Sequence, residues 1–265
     1  MTLLSNKKKG LTSLSVSIQA TGWILVLLAL WELSSRLGWV PSYILPPLSK
    51  VFLALCSQLE NGEVLALTVR SLGTLAEALL LSLGLAAIII FISEKSRVFA
   101  SFYETASTIM NSIPSMALLP LIIMWFGIDK LSILILVTHS ILWTFTIYMS
   151  DGIKSTPRLY RDIAQNLQLS TRQTIIHILL PSLIPQLISG LKVAWSRAWR
   201  SLVGAEIVFG AIGSSAGLGF FINMNRLNGN MTNVLVGILV IILIGVLIDK
   251  LVFKSLGRVS RKWGM

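Results

Sequence analysis

Long apolar runs separated by short polar stretches dominate the chain. A helix needs roughly 20 apolar residues to cross about 30 Å of hydrocarbon at about 1.5 Å per residue. Ile18 to Leu33, Leu72 to Ile92, Leu131 to Met149 and Val234 to Phe253 are the clearest such runs. Two further segments complete the pattern. Val98 to Phe126 is apolar only in its second half, and Leu183 to Phe209 carries Lys192, Arg197, Arg200 and Glu206. Both need polar surroundings inside a bundle, where intramembrane charges usually lie. The expected fold is all-α and polytopic, with six crossings over residues 18–253, a tail at 1–17 and a basic tail at 254–265.

Composition agrees with this pattern. The 265 residues are 54% hydrophobic and 12% charged, with mean hydropathy +0.80, outside the range of soluble domains. The net charge of +11 does not point to nucleic acid, because the cations cluster at alternate ends of the apolar runs. Lys7 to Lys9, Lys95, Arg97, Lys154, Arg158, Arg161, Arg172, Lys250, Lys254, Arg258, Arg261 and Lys262 fall on one side. Arg36, Lys50, Arg70, Lys130 and Arg226 fall on the other. The positive-inside rule then places both termini in the cytoplasm. Trp31, Glu32 and Trp39 read as an interfacial anchor of a retained first helix rather than the end of a cleaved signal. Cys56 is the single cysteine, which excludes an internal disulfide and a cysteine-rich metal site.

One polar stretch, Thr156 to Pro181, interrupts the apolar runs. Thr156-Pro157 reads as a helix start, with a capping hydroxyl and proline at the first helical position. Tyr160, Ile163 and Leu167 share an apolar face, with Arg158, Arg161, Asp162 and Gln165 around it. Ser170 and Gln173 have capping-box spacing and predict a second helix start after a break near Gln168-Leu169. Pro181 and Pro185 should kink that second helix. From the pattern alone, the apolar face rests either on the lipid interface or on a partner protein.

The stretch resembles the permease subunits of ATP-binding-cassette importers, whose cytoplasmic loop carries E-A-A-x3-G-x9-I-x-L-P. Asp162, Ile163 and Ala164 stand at the E-A-A positions, Gln168 at the glycine, and Ile178, Leu180 and Pro181 at the end. If the break needs a left-handed residue, Gln168 costs on the order of 1–2 kcal/mol where glycine costs none. "ILPPLSKVF", "NSIPSMALLPLIIMWFGIDK" and "AEIVFGAIGSSAGLGFFI" extend the likeness over most of Pro46 to Val252, toward permeases for nitrate, taurine, aliphatic sulfonates and bicarbonate. The resemblance implies a type I importer permease of the bacterial inner membrane. It also implies a homodimer, two ATPase subunits that hold ATP and Mg, and an external substrate-binding protein. In the coupling-helix region 155–176 and just beyond it, the resemblance makes Tyr160, Asp162, Ile163, Ala164, Leu167, Gln168, Ser170 and Pro181 the candidate contacts and supports of a coupling helix seated in the ATPase.

The chain has no G-x-x-x-x-G-K-[ST] loop, so ATP chemistry belongs to a partner, and it has no H-E-x-x-H metal spacing. Gly213 to Gly217 fits the G-x-S-x-G of a hydrolase elbow, yet His139 and His177 both precede Ser215, against the hydrolase order. Gly217-Leu218-Gly219 is expected to bend an external loop, and His139 to be a packed side chain rather than a relay. Two rivals of another class remain, an ion-gradient-driven transporter working alone and a membrane-bound hydrolase, and within the importer reading a neutral or heteroaromatic nutrient is the alternative to a small anionic cargo.

Arg197 and Arg200 are the sharpest local anomaly, since a charge at mid-depth costs roughly 2.5–3.5 kcal/mol on insertion scales. They share a helical face, with Glu206 expected on nearly the same side. Either they line the path and attract an anion, or they pair with Glu104 or Glu77, or they snorkel. Asn111, Ser112 and Pro114 form a polar break in span three, with Glu104 below it, that either lines the pathway or is a kinked packing helix.

Overall fold

The computed structural model describes residue 19, residues 21–209 and residues 216–263. Among these, the regular structure is entirely helical. Two compact units are formed, one from residues up to 62 with 225–236, the other from 63–224 with 237–265.

In the first unit, helix α1 (residues 21–36) is followed by a loop that folds back on it and then by α2 (Leu48–Glu60). Trp31 donates its indole N–H to the Pro46 carbonyl at 2.9 Å, and Ser35 donates to Leu45 at 2.8 Å. Glu32 accepts from Arg36 Nε (2.6 Å), Ser49 Oγ (2.8 Å) and the Ser49 backbone N–H (3.1 Å). Its carboxylate therefore lies against the first turn of α2, where free amides and the helix dipole favour an anion. The polar end of the first apolar run is thus a folded corner built around Glu32.

The second unit contains α3 (Glu63–Lys95), α4 (Arg97–Ser112), a 3₁₀ turn (Ser115–Leu118), α5 (Leu119–Phe126), α6 (Lys130–Ser155), α7 (Arg158–Asn166), α8 (Thr171–Thr174), α9 (Leu180–Phe209) and all but the last three residues of α10 (Leu218–Leu227). Helix α11 begins at Met231, and the chain stays helical through a π segment into α12 (Lys254–Trp263). Helix α6 packs along α9 and against α3. Small residues set the α6–α9 approach: a Cβ on Gly190 would stand 2.7 Å from Tyr148 Cβ, and one on Gly152 would stand 2.9 Å from Leu183 Cδ2. Between membrane helices, where lipid is as apolar as any side chain, such close backbone contact is a main source of association.

Three described helices are long and apolar enough to cross a membrane: Glu63–Lys95, Lys130–Ser155 and Met231–Arg258. The expected third span is not one rod, because α4 and the Ser115–Phe126 pair meet at 89°. Pro114 has no N–H to give and disfavours helical geometry at Ile113, whose backbone is extended (φ −81°, ψ 119°). The expected fifth span, α9, has 30 residues but carries four charged side chains, so composition alone does not select it. The expected first span begins at 18, outside the described residues, and the 1–17 tail lies there as well.

Candidate functional site

The polar stretch folds as a helix, a sharp reversal and a second helix. Thr156 does not cap α7: its hydroxyl donates back to Gly152 O in α6 (3.0 Å), and Pro157 takes the N-cap position without a side-chain bond. The Thr156 backbone closes the long helix before it, which draws its side chain that way. Helix α7 ends with Leu167 as C-cap, and Gln168 adopts φ 50°. The Gln168 N–H bonds Gln165 O (2.9 Å) and the Leu169 N–H bonds Ala164 O (3.0 Å), the two reversed bonds of a Schellman ending. The break therefore needs the left-handed residue, and a glutamine supplies it. The predicted capping box is also present. Gln173 Oε1 accepts from the Ser170 N–H (2.9 Å), and Ser170 Oγ accepts from the Gln173 N–H (3.3 Å). Ahead of Pro181, which cannot donate to the turn before it, the chain passes through a π turn at Ile175–Leu179. That turn is the form taken by the expected disturbance, while Pro185 sits inside α9.

The apolar face of α7 differs from the expected one. Ala164 is buried and Tyr160 half-buried on the inner side, whereas Leu159, Ile163 and Leu167 are 63%, 37% and 64% exposed. Spacings of four residues place these three on one outward strip, and Asp162 is exposed beside them. Tyr160 moves to the inner face because it shares a side with Ala164, one turn on.

The break in the third span borders a cavity of about 340 Å³ in the second unit. Arg197, Arg200 and Ser201 of α9 line it, with Asn111, Ser112 and Ser115 from the two sides of the break. Met110, Ile113 and Met116 supply apolar wall, and His139 and Ser140 come from α6. Ser115 and Ser201 hydroxyls lie 2.6 Å apart, and Met116 packs where a Cβ on Gly204 would stand, 3.1 Å from its Cε. The segment after the break is thus laid along one face of α9, formed by Arg197, Ser201 and Gly204.

Both arginines are held by neutral oxygens. Arg197 Nη1 donates to Asn111 Oδ1 (2.8 Å) and Thr144 Oγ1 (3.0 Å). Arg200 folds back on its own helix, Nε to Ser196 O (3.0 Å) and Nη2 to Ser196 Oγ (3.3 Å). The alternative partners are occupied: Glu77 pairs with Lys130 (2.8 Å) and Glu104 with Lys154 (2.5 Å). Glu104 therefore belongs to an ion pair at the α4–α6 contact and not to the cavity lining. Lys192, the other expected intramembrane cation of α9, is paired with Asp249 at 2.6 Å.

Glu206 is not beside the arginines either. Six residues turn a helix through about 600°, leaving Glu206 some 120° away from Arg200. It is 3% exposed and accepts from Ser71 Oγ (2.7 Å) and the Gly219 N–H (2.9 Å), while Ser71 Oγ accepts from the Leu218 N–H (2.9 Å). Gly217 and Gly219 are close-approach residues rather than a bend: a Cβ on Gly219 would stand 2.5 Å from Glu206 Cβ, and one on Gly217 would overlap the carboxylate. The Gly213 to Ser215 part of the hydrolase-like match lies outside the described residues. His177 is exposed, its Nδ1 3.1 Å from Gln173 O, and His139 packs edge-on to Trp143 at 6.4 Å.

Comparison with known proteins agrees with this architecture. Residues 78–261 match the model of the binding-protein-dependent transport system inner membrane component family. The chain belongs to that family. It has the type I permease fold of ATP-binding-cassette importers and is a membrane transport component. It is 27% identical over 238 residues to an aliphatic sulfonates transport permease protein, SsuC, of Bacillus subtilis, whose own assignment is provisional, covering 90% of this chain and 84% of that one. It is 29% identical over 241 residues to the Escherichia coli protein of the same provisional name, with 89% and 88% covered. To the taurine transport system permease protein TauC of Escherichia coli it is 30% identical over 151 residues, with 57% and 53% covered.

Of the residues singled out in the sequence, Asn111, Ser112, Arg197 and Arg200 meet at the cavity, whereas Glu104 and Glu206 do not. Thr144, Ser115 and Ser201 were missed. Only Ser201 carried a local signal, standing four residues beyond Arg197 on the same helical face.

Proposed function

We propose that this permease is one of two identical subunits that pass a small organic or inorganic oxyanion inward by alternating access, driven by two ATPase subunits docked at α7. The observation that carries the reading is the outward apolar strip of Leu159, Ile163 and Leu167. The reversal that follows it is fixed by the Schellman ending of α7 and then by the capping box that starts α8. A nine-residue helix tied at its C-terminal end, through two successive caps, to the helix that follows suits a lever more than a helix floating in headgroups. ATP binding and its Mg belong to the partner, an external binding protein delivers cargo, and both termini face the cytoplasm. Arg197 and Arg200 supply the attraction for the anion, since no carboxylate neutralises them among the described residues. The named cargoes of the relatives, sulfonate and taurine, carry such groups.

Single cysteines at Leu159 and Leu167, in a Cys56→Ser background, test the docking directly. Cross-linking in membranes recovers an ATPase subunit if the reading holds. Adducts with lipid headgroups alone, or uptake that survives removal of α7, overturn it. Arg197→Leu and Arg200→Leu test the cargo, with uptake of anions expected to fall at least tenfold and uptake at wild-type level counting against it.

A further inference from the structure

We propose that Asn111 and Thr144 form a neutral clamp that sets the charge selectivity of the cavity, by orienting Arg197 while leaving its positive charge whole. This rests on the reading of the cavity as an anion site and adds which residues make it one. The three side chains come from three helices: Asn111 lies in the last turn of α4 just before the break, Thr144 is 4% exposed in α6, and Arg197 lies on α9. Thr144 Oγ1 donates to Asn111 Oδ1 (3.1 Å) and accepts from Arg197 Nη1, so the amide oxygen receives two bonds and the triad closes on itself. Only Nη1 is engaged among the described residues, which leaves the Nε and Nη2 donors of the guanidinium for an oxyanion.

The choice of acceptor is the point. Lys130, Lys154 and Lys192 all pair with carboxylates in this unit, so carboxylate pairing is the local habit of its lysines. At Arg197 the place a carboxylate would occupy holds an amide of the same shape. Asparagine and aspartate differ by one atom, so geometry is shared and charge is not. An aspartate there would form a charge-assisted bond with Arg197 and cancel the field that draws an anion. Asn111 and Thr144 are positioning residues, not cargo contacts, and their effect is read through the charge preference of the site.

The test uses the full transporter with its ATPase subunits in lipid nanodiscs, with methanesulfonate as anionic probe and dimethyl sulfone as its neutral counterpart of similar shape. Binding is followed by tryptophan fluorescence. The expected result is that Asn111→Asp weakens methanesulfonate at least tenfold and leaves dimethyl sulfone within twofold, while Asn111→Ala, which removes the acceptor but adds no charge, weakens methanesulfonate threefold or less. If wild type shows no preference for methanesulfonate, or Arg197→Leu keeps it, the anion reading of the cavity fails and this inference with it. If Arg197→Leu loses the preference but Asn111→Asp retains it, the clamp proposal alone is overturned. Should Asn111→Asp not assemble, Thr144→Asp decides, since it puts the same charge on the other half of the clamp: a tenfold loss of methanesulfonate with dimethyl sulfone within twofold is expected, and methanesulfonate binding at wild-type level overturns the proposal.

Discussion

The Gly219 backbone N–H donates to Glu206 Oε2 across 2.9 Å, joining the first turn of α10 to the C-terminal end of α9. The carboxylate stands where α10 has free amides, and Ser71 closes the cluster from α3 by binding both Glu206 and the Leu218 N–H. A buried acceptor with two donors aimed at it is costly to remove from either side.

Glu206→Leu leaves the Gly219 amide and the Ser71 hydroxyl unpaired in an apolar setting, a loss of about 1–3 kcal/mol for each group. Glu206→Gln keeps an acceptor and loses less. Thermal unfolding in detergent should order the three proteins as wild type, Gln, Leu. Equal midpoints for Gln and Leu would show that the bonds to Gly219 and Ser71 contribute nothing.

Gly219→Ala is expected to be worse than its single methyl implies. Its Cβ would meet Glu206 Cβ and the Val203 carbonyl oxygen, both at 2.5 Å, and backbone oxygen cannot turn aside. Overpacking of this kind costs about 1–3 kcal/mol. Gly73→Ala, with nothing within 4 Å of the new methyl, is the control and should be neutral or slightly stabilising. A Gly219→Ala protein as stable as that control contradicts the close approach.

Gln168 holds φ 50° at a helix ending that favours glycine. Gln168→Gly should stabilise the α7–α8 corner by about 1 kcal/mol, and Gln168→Val should destabilise it by more, because β-branching resists the left-handed region. Hydrogen exchange at the Gln168 and Leu169 amides reads this locally. Faster exchange in the glycine variant would mean the strain is not there.

Ser170→Ala removes one half of the capping box and Gln173→Ala the other, each costing about 1 kcal/mol at the start of the second helix. If α7 acts as a lever, both variants should lower cargo-stimulated ATP hydrolysis more than basal hydrolysis, since the lever then pivots on a frayed end. Proportional loss of both rates would place the defect in assembly instead.

Glu104→Gln should leave cargo uptake within about twofold of wild type. Its partner is Lys154 and both side chains are more than half exposed, a setting in which ion pairs contribute roughly 0–1 kcal/mol. A tenfold rise in the KM for cargo would return Glu104 to the pathway, against the geometry.

How much of this was legible in the chain depends on the range of the interactions. Apolar runs of about 20 residues gave the crossings in α3, α6 and α11, because bilayer thickness converts directly into a count of residues. The reversal at Gln168 and the box at Ser170 and Gln173 were also readable, since each involves partners within five residues. Pro114 signalled a break, but not an 89° bend, because the angle depends on how Ser115 and Met116 settle against Ser201 and Gly204.

Partner choice between distant side chains was decided in three dimensions. Sequence showed that Arg197 and Arg200 share a face, since helical phase alone fixes that relation. Only the packing of α4, α6 and α9 decided that Glu104 turns to Lys154 and that Arg197 meets an amide and a hydroxyl instead of a carboxylate. Likewise, glycines that look like loop residues in "SSAGLGFF" became contact residues once Glu206 was brought against them. Local chemistry and membrane thickness determined the elements, while electrostatic and steric neighbours separated by 33 to 147 residues determined what those elements carry.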